Sequence, residues 1–184
     1  KKVAFMREFN TYTGTYKGVE ITVTSTGIGA PSAAIAMEEM YESGMQVAVR
    51  MGTVMSMQDD MLGHFMIPIA AMRREGTSQS YVDLSYPAVA DVELVNVMNE
   101  TVQQMGKRYL NGLNCTMDGF YSCMHDSKFS LECGRDMSKT FEEVKKLGVT
   151  GIDMESSCIL TLGRLMGVKT CILTVVTVLE NLKE

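Results

Sequence analysis

Apolar residues occur along the chain in short runs that alternate with segments of helical periodicity. Residues 19–25 (VEITVTS) are mostly β-branched and predict a strand, and the glycines and proline of TGIGAPS predict a turn after it. AAIAMEEMYESG then predicts a helix, for which the preceding Pro31 suits the first turn and Gly44 suits the end. The apolar side chains of that helix share one face: Ala33, Met37, Met40 and Tyr41. The strand QVAVR follows, ending at Arg50.

The same alternation continues along the rest of the chain. Further strands are predicted at residues 65–71, 110–117, 149–154 and 168–176. Further helices are predicted from Asp91, as N-cap, to Met105, and at residues 138–147 and 155–166. Strands that alternate with helices predict an α/β fold with a largely parallel sheet and right-handed crossovers. A chain of 184 residues suits one domain.

Charge and cysteine content restrict the function classes. The net charge of -5 argues against nucleic acid or an anionic membrane as the main partner, and the apolar runs are shorter than the roughly 20 residues of a spanning helix. Five cysteines without a CxxC spacing favour reduced thiols over a disulfide or zinc framework. His64 and His125 are expected to be polar loop or strand-end residues, and two scattered histidines predict no metal site. We expect a cytoplasmic protein that acts on a small molecule.

Four segments are expected where ligands bind in such folds, at the carboxyl ends of strands: TGIGAPS, RMGTVMS, DGFYSCMHD and DMES. Arg50, the Thr53 hydroxyl and free backbone N–H groups would suit an oxyanion such as phosphate. Asp153 and Glu155 would suit sugar hydroxyls. The alternatives are structural: a surface arginine with a turn threonine, an N-cap for Asp153, and a first-turn acid favoured by the helix dipole for Glu155.

These segments resemble the uridine phosphorylase branch of the nucleoside phosphorylase family. The matching stretches keep the family's order: REFNTYTGTYKGVEITVTSTGIGAPSAAIAMEE, RMGT, YPAVADVEL, GFY and DMESS. The resemblance implies a single-domain twisted mixed sheet flanked by helices across residues 1–184, assembled as a homodimer or a trimer of dimers with shared active sites. It also implies reversible phosphorolysis of a uridine-like pyrimidine nucleoside to free base and ribose 1-phosphate. Inorganic phosphate would be the co-substrate, without any organic cofactor.

The resemblance also implies roles for individual residues. Arg50 and Thr53 would bind phosphate, and Arg7 would be the arginine that one subunit lends to the phosphate of its neighbour. Met154 and Glu155 would contact the ribose, together with Thr53, and Glu155 would accept hydrogen bonds from the 2′ and 3′ hydroxyls. Arg50 and Glu155 would therefore be the catalytic pair.

Several positions depart from the family pattern. Asp153 stands where a glutamate is usual, so its reach toward the ribose is one methylene shorter. Phe120 would pack against the base, but the Gln and Arg that bind uracil in the family fall on Met124 and Asp126, neither of which donates to uracil when the acid is ionised. Either Lys128 or another segment substitutes, or the base differs, or this copy is catalytically weak.

Two family segments have no counterpart in the sequence. The family's first strand, with a Gly-Asp-Pro turn, would precede Lys1, and a loop near residues 177–178 would precede the last helix. Both gaps are either mobile or missing pieces of a longer protein, or true deletions. Two further functions stay open: a phosphorylase or hydrolase of another nucleoside, and a noncatalytic nucleoside-binding paralogue.

Overall fold

A computed structural model describes residues 1–180, which form two β-sheets with helices packed on them. The first sheet is antiparallel and has the order β1-β2-β3. Its strands are β1 (Lys2–Met6), β2 (Phe9–Tyr16) and β3 (Val19–Thr24). Most of its side chains are exposed on both faces, so little apolar burial holds this sheet to the rest of the chain.

The second sheet has eight strands in the order β7-β6-β9-β10-β4-β11-β5-β8. These are β4 (Val47–Ser56), β5 (Phe65–Met66), β6 (Ala70–Arg74), β7 (Ala88–Val89), β8 (Tyr109–Leu110), β9 (Leu113–Met117), β10 (Val149–Asp153) and β11 (Lys169–Leu179). β6, β9 and β10 are parallel to one another, as are β4 and β11. β4 and β10 run antiparallel where they meet, which makes this a mixed sheet flanked by helices, as the family resemblance implied.

Six α-helices lie within the described residues: α1 (Ala30–Glu42), α2 (Val92–Gln104), α3 (Phe120–Cys123), α4 (Lys128–Glu132), α5 (Met137–Lys146) and α6 (Ser156–Met166). The predicted N-cap of α2 is confirmed, because the Asp91 carboxylate accepts from the N–H groups of Glu93 and Leu94. Such a cap contributes about 1 kcal/mol. No helix among residues 1–180 has both the length and the apolar character that crossing a bilayer requires.

The structure corrects four predicted strands. Pro68, which cannot donate to a strand ladder, separates β5 from β6 within the predicted strand at 65–71. The predicted strand at 110–117 is divided between β8 and β9 around Gly112. The strand predicted to end at Arg50 continues to Ser56, and the last strand runs on to Leu179. Arg50 therefore lies in the middle of β4 instead of at its end.

The main core lies between α1, α6 and the second sheet. Every residue from Ser156 to Gly163 in α6 is buried, and four small or flexible side chains of α1 pack into the same cluster: Ala30, Ala33, Ala34 and Met37. Small residues allow the two helices to approach closely, and Met adapts to irregular gaps. Cys115, Cys158 and Cys171 are buried free thiols, as predicted, whereas Cys133 is exposed.

Among the strand edges that lack a neighbouring strand within residues 1–180, two border the same cavity: those of β3 and of the first part of β4. β3 pairs only with β2, and the stretch of β4 before Met55 pairs only with β11. Both edges border an apolar cavity of about 270 Å³, which side chains of α1 also line. Val47 is 51% exposed and Met51 is 77% exposed along this edge. The first sheet is thus joined to the second without a continuous strand ladder.

We expect the first sheet to open locally well below the free energy of global unfolding. Its backbone hydrogen bonds are solvent-exposed and its apolar contacts are few, which are the properties of low-stability segments. Hydrogen–deuterium exchange, corrected for intrinsic rates, should show faster exchange for peptides of β1–β3 than for peptides of β4, β10 and β11. Equal protection of the two sheets would contradict this expectation.

Candidate active site

A cavity of about 640 Å³ lies where β10 ends, next to the middle of β4. Residues from five segments line it: 26–28, 50–55, the region of α3, 152–155 and 177–178. β4 and β10 are antiparallel, with Ile152 opposite Met55, so the residues after β10 continue toward the middle of β4. The four glycine-rich and acidic segments singled out in the sequence therefore contribute to one cavity, and β4 contributes residues 50–55 from within the strand instead of a turn after it.

Glu155, the residue before α6, is almost fully buried at this cavity. Its Oε1 accepts a hydrogen bond of 2.7 Å from the N–H of Gly29, and its Oε2 accepts one from Arg50 Nη2. Gly29 has a φ of 95°, a conformation that favours glycine and orients this N–H at the start of α1. Each carboxylate oxygen can accept about two hydrogen bonds, so Glu155 keeps acceptor capacity for a ligand.

Asp153, the last residue of β10, is 3% exposed and is surrounded by protein donors. Its Oδ1 accepts from the Thr116 hydroxyl at 2.9 Å and from the Ser156 N–H at 3.3 Å. Its Oδ2 accepts from the Ser156 hydroxyl and lies 3.4 Å from Arg50 Nη1. Burial raises the pKa of Asp153, and the nearby Arg50 guanidinium acts in the opposite direction. The Asp153 carboxylate thus accepts from the first N–H of α6, although the N-cap residue is Glu155 and not Asp153, and Asp153 also borders the cavity.

Arg50 extends from the middle of β4 and pairs with both acids. Its guanidinium lies over Gly52, where an added Cβ would come within 2.8 Å of Nη1. Glycine at this position therefore provides the space for the arginine. Nη1 is buried and has no hydrogen-bond partner among the described residues, because the 3.4 Å approach to Asp153 lacks hydrogen-bond geometry. A buried donor without a partner costs about 1–3 kcal/mol, so the site favours an additional acceptor there.

Hydroxyl groups and Met154 complete this part of the cavity wall. Thr53 and Thr177 are exposed, and Thr26 and Met154 are partly buried. Arg7, by contrast, lies in the turn between β1 and β2 with a φ of 54° and does not line the cavity. The neighbouring Glu8 accepts from the Ser32 hydroxyl at 3.0 Å, which ties this turn to the first turn of α1.

Phe120, Met124 and His125 line the cavity from α3 and the turn that follows it. Phe120 is 41% exposed, whereas Met124 is buried in an apolar cluster with Met55 and Ile152. This arrangement places an aromatic face and an apolar wall in the same part of the cavity.

The structure places two expected base contacts away from the cavity. Asp126 and Lys128 are both exposed, and neither lines it. The chain turns after α3, with the N–H groups of Met124 and His125 both bonded to the Phe120 carbonyl, and this turn keeps Met124 and His125 at the cavity. His125 lies in this turn, as the polar loop residue that was expected, and it also lines the cavity.

Glu75 is a buried carboxylate that sequence reasoning did not identify. It accepts from the Ser157 hydroxyl at 3.0 Å and from the Ser78 N–H at 2.8 Å. The Ser157 N–H in turn donates to the Thr116 hydroxyl at 2.8 Å. Glu75 and Thr116 therefore hold the first turn of α6, which positions Glu155. Among residues 1–180, no group of three or more His, Cys, Asp and Glu side chains is arranged to hold a metal ion.

Comparisons with known proteins agree with this geometry. The model of the phosphorylase superfamily matches residues 1–181. A uridine phosphorylase from Thermococcus kodakarensis is 37% identical over 92% of the chain and 61% of its own length, so the chain spans about three fifths of that curated relative. The uridine phosphorylase of Escherichia coli strain K12 is 32% identical, over 91% of the chain and 67% of its own length.

Solved structures show the same likeness. The crystal structure of uridine phosphorylase from Vibrio fischeri ES114, complexed with 6-hydroxy-1-naphthoic acid, superposes with a TM-score of 0.87 at 32% identity. It covers 100% of this chain, which corresponds to 71% of that one. A guanosine phosphorylase from Halorubrum lacusprofundi is 29% identical over 91% of the chain and 64% of its own length.

We expect Asp153→Asn to change how stability depends on pH. The pKa of Asp153 is raised in the folded state, so the native protein binds this proton more tightly than the unfolded chain, whose aspartates titrate near about 3.9. The contribution of Asp153 to the free energy of unfolding is therefore lost as the pH rises from about 4 through the raised pKa. Urea unfolding at a series of pH values should show the wild type losing stability relative to the variant in that range.

High ionic strength provides a control for this measurement, because salt screens surface charges more than buried ones. The difference between wild type and Asp153→Asn should persist in high salt. Unfolding free energies that run parallel for the two proteins at every pH would show that Asp153 does not titrate in this way.

Proposed function

Because the chain belongs to the phosphorylase superfamily, we propose that it catalyses the reversible phosphorolysis of a uridine-like pyrimidine nucleoside. The products are the free base and ribose 1-phosphate, and the enzyme is a pentosyltransferase. The observation that carries this proposal is the buried Arg50–Glu155 pair, in which the carboxylate retains acceptor capacity and Arg50 Nη1 finds no hydrogen-bond acceptor within residues 1–180. The relatives named uridine phosphorylase support the choice of a pyrimidine substrate.

Glu155 binds the ribose in this proposal. Gly29 and Arg50 each occupy one of its oxygens, so both oxygens remain able to accept from the 2′ and 3′ hydroxyls. Met154 lies beside it on the cavity wall. Asp153 contributes mainly through position, because its two oxygens already accept from three protein donors, the Thr116 hydroxyl and the N–H and hydroxyl of Ser156.

Inorganic phosphate is the co-substrate, and the proposal requires no organic cofactor. Arg50 Nη1 and the Thr53 hydroxyl donate to it, and charge-assisted hydrogen bonds are the strong ones for holding an anion. Arg7 reaches the phosphate of a second subunit, since it is exposed at a sheet turn and does not line the cavity of its own chain. The assembly is a homodimer or a trimer of dimers, and the protein is cytoplasmic, which its unpaired cysteines favour.

The reaction exchanges one bond at the ribose C1′ for another. The C1′–N bond to the base breaks and its electron pair leaves with the base, while a phosphate oxygen supplies the pair that forms the new C1′–O bond. Positive charge gathers on the ribosyl group before the new bond forms, and the carboxylate of Glu155 and the bound phosphate stabilise it. Holding phosphate on the opposite face of the ribose contributes proximity.

A second candidate is phosphorolysis of another nucleoside. The burial of Met124 favours it, because a thioether supplies no strong hydrogen bond to distinguish uracil. The two candidates are distinguished by measuring release of the base from uridine, thymidine and a purine nucleoside, each with and without phosphate. Phosphate-dependent release of a purine alone would select the second candidate, and nucleoside binding without turnover would indicate a noncatalytic protein.

Arg50→Ala should raise the KM for phosphate and lower kcat. The lost charge-assisted contact is worth about 1.5–3 kcal/mol, which corresponds to about 10- to 150-fold in kcat/KM for phosphate. Arg50→Lys retains the charge but not the planar fork, so its effect should be intermediate. Arg108→Ala is the matched control, since Arg108 pairs with Asp60 on the exposed surface. Unchanged phosphate kinetics in a folded Arg50→Ala protein would remove Arg50 from the phosphate site.

Arg7→Ala should raise the KM for phosphate at the active site of the neighbouring subunit and not at the site of its own chain. When chains carrying Arg7→Ala are dissociated and reassembled with chains carrying Arg50→Ala, each mixed dimer regains one intact site, so activity should return to about a quarter of the wild type. Lys17→Ala is a matched control, because Lys17 occupies the next hairpin turn with a similar φ of 50°. No recovery on mixing would contradict a shared phosphate site.

A further inference from the structure

The part of the cavity formed by α3 and the turn after it has few groups that can recognise a base. Phe120, Met124 and His125 are the residues that this region contributes. Phe120 offers an aromatic face and Met124 is buried in an apolar cluster. Of these three, only His125 has a side chain that forms ordinary hydrogen bonds.

The tautomer of His125 follows from its own hydrogen bond. Nδ1 lies 2.7 Å from the carbonyl oxygen of Asp126. A carbonyl can only accept, so Nδ1 carries the hydrogen, and Nε2 of the neutral ring is an acceptor. No hydrogen bond to Nε2 occurs among the described residues.

Aromatic neighbours also fix the orientation of this ring. The His125 ring stacks on Phe120 with centroids 5.6 Å apart and an interplanar angle of 19°. Tyr121 meets it edge-on at 6.0 Å. The backbone N–H of His125 donates to the Phe120 carbonyl at 2.9 Å, which closes the turn that joins the two rings. The imidazole is therefore held in place before any ligand binds.

We propose that His125 recognises the base, and that its Nε2 accepts a hydrogen bond from an N–H group on the base edge. In a uracil ring this group is N3–H, and Phe120 packs against the ring face. Cytosine presents an acceptor at N3, so two acceptors would face each other and cytidine is disfavoured. This inference rests on the proposed phosphorolysis and assigns its specificity to a residue outside the Arg50–Glu155 pair.

Three variants of His125 distinguish the contributions of its two ring nitrogens, Nδ1 and Nε2. The amide of His125→Gln reaches about as far as Nε2, the amide of His125→Asn reaches only about as far as Nδ1, and His125→Phe keeps an aromatic ring without nitrogens. The substrates are uridine and 3-methyluridine, which lacks the N3 hydrogen, and kcat/KM is measured for the full chain at saturating phosphate. Circular dichroism and unfolding curves establish that each variant is folded.

The wild type should prefer uridine over 3-methyluridine by about tenfold or more, because the methylated base leaves Nε2 without a donor. His125→Gln should retain most of this preference, and His125→Asn and His125→Phe should reduce it to about twofold or less. The KM for phosphate should stay the same in all three variants. A preference that persists in His125→Phe would reflect only the bulk of the methyl group and would overturn the proposal. If His125→Phe does not fold, equal preferences in His125→Gln and His125→Asn would overturn it.

Equilibrium binding distinguishes failure of this inference from failure of the proposed function. If neither nucleoside is cleaved with phosphate, the proposed phosphorolysis is wrong. Dissociation constants of uridine and 3-methyluridine, measured without phosphate, then still test His125. Tighter binding of uridine to the wild type and to His125→Gln, but not to His125→Phe, supports the inference. Equal binding of the two nucleosides to the wild type overturns it.

Discussion

The structure of the site depends on one buried ion-pair cluster, in which Arg50 lies between Asp153 and Glu155. Buried charges are costly to desolvate, and removing one partner of such a pair costs about 3–5 kcal/mol. The cluster is therefore weak evidence for stability as such. The cluster instead holds two elements in position, because it connects the middle of β4 to the start of α6. It also leaves one guanidinium nitrogen without a hydrogen-bond partner within the described residues.

The elements around this cluster form a rigid support. Thr116 at the end of β9 bonds both to Asp153 and to the backbone of Ser157, and Glu75 accepts from the Ser157 hydroxyl. α6 itself is buried along its first two turns. A carboxylate placed by such a framework loses little freedom when it binds a ligand, and preorganisation of this kind lowers the cost of binding. Glu155 is thus positioned by residues that have no contact with the substrate in the proposed reaction.

The cavity divides into two chemically different parts. Charged and hydroxyl groups surround the end of β10, whereas α3 contributes an aromatic ring, a thioether and one imidazole. In the proposed reaction, the polar groups of the first part bind the ribose and the phosphate, which are the same for every nucleoside, and the second part selects the base. A change of base specificity would therefore require few substitutions, all near α3.

The sequence by itself determined much of this protein. The apolar periodicity predicted α1, α6 and β10, and the motifs around Arg50, Phe120 and Glu155 predicted the segments that meet at the cavity. It could not determine that β4 continues to Ser56, because Gly52 in the sequence resembles a turn residue. The structure shows instead that the Arg50 guanidinium fills the space that a side chain at position 52 would need. Nor could it place Asp126 outside the cavity and His125 at its wall. Both depend on the direction of the turn after α3 and on long-range packing, and neither leaves a local pattern in the sequence.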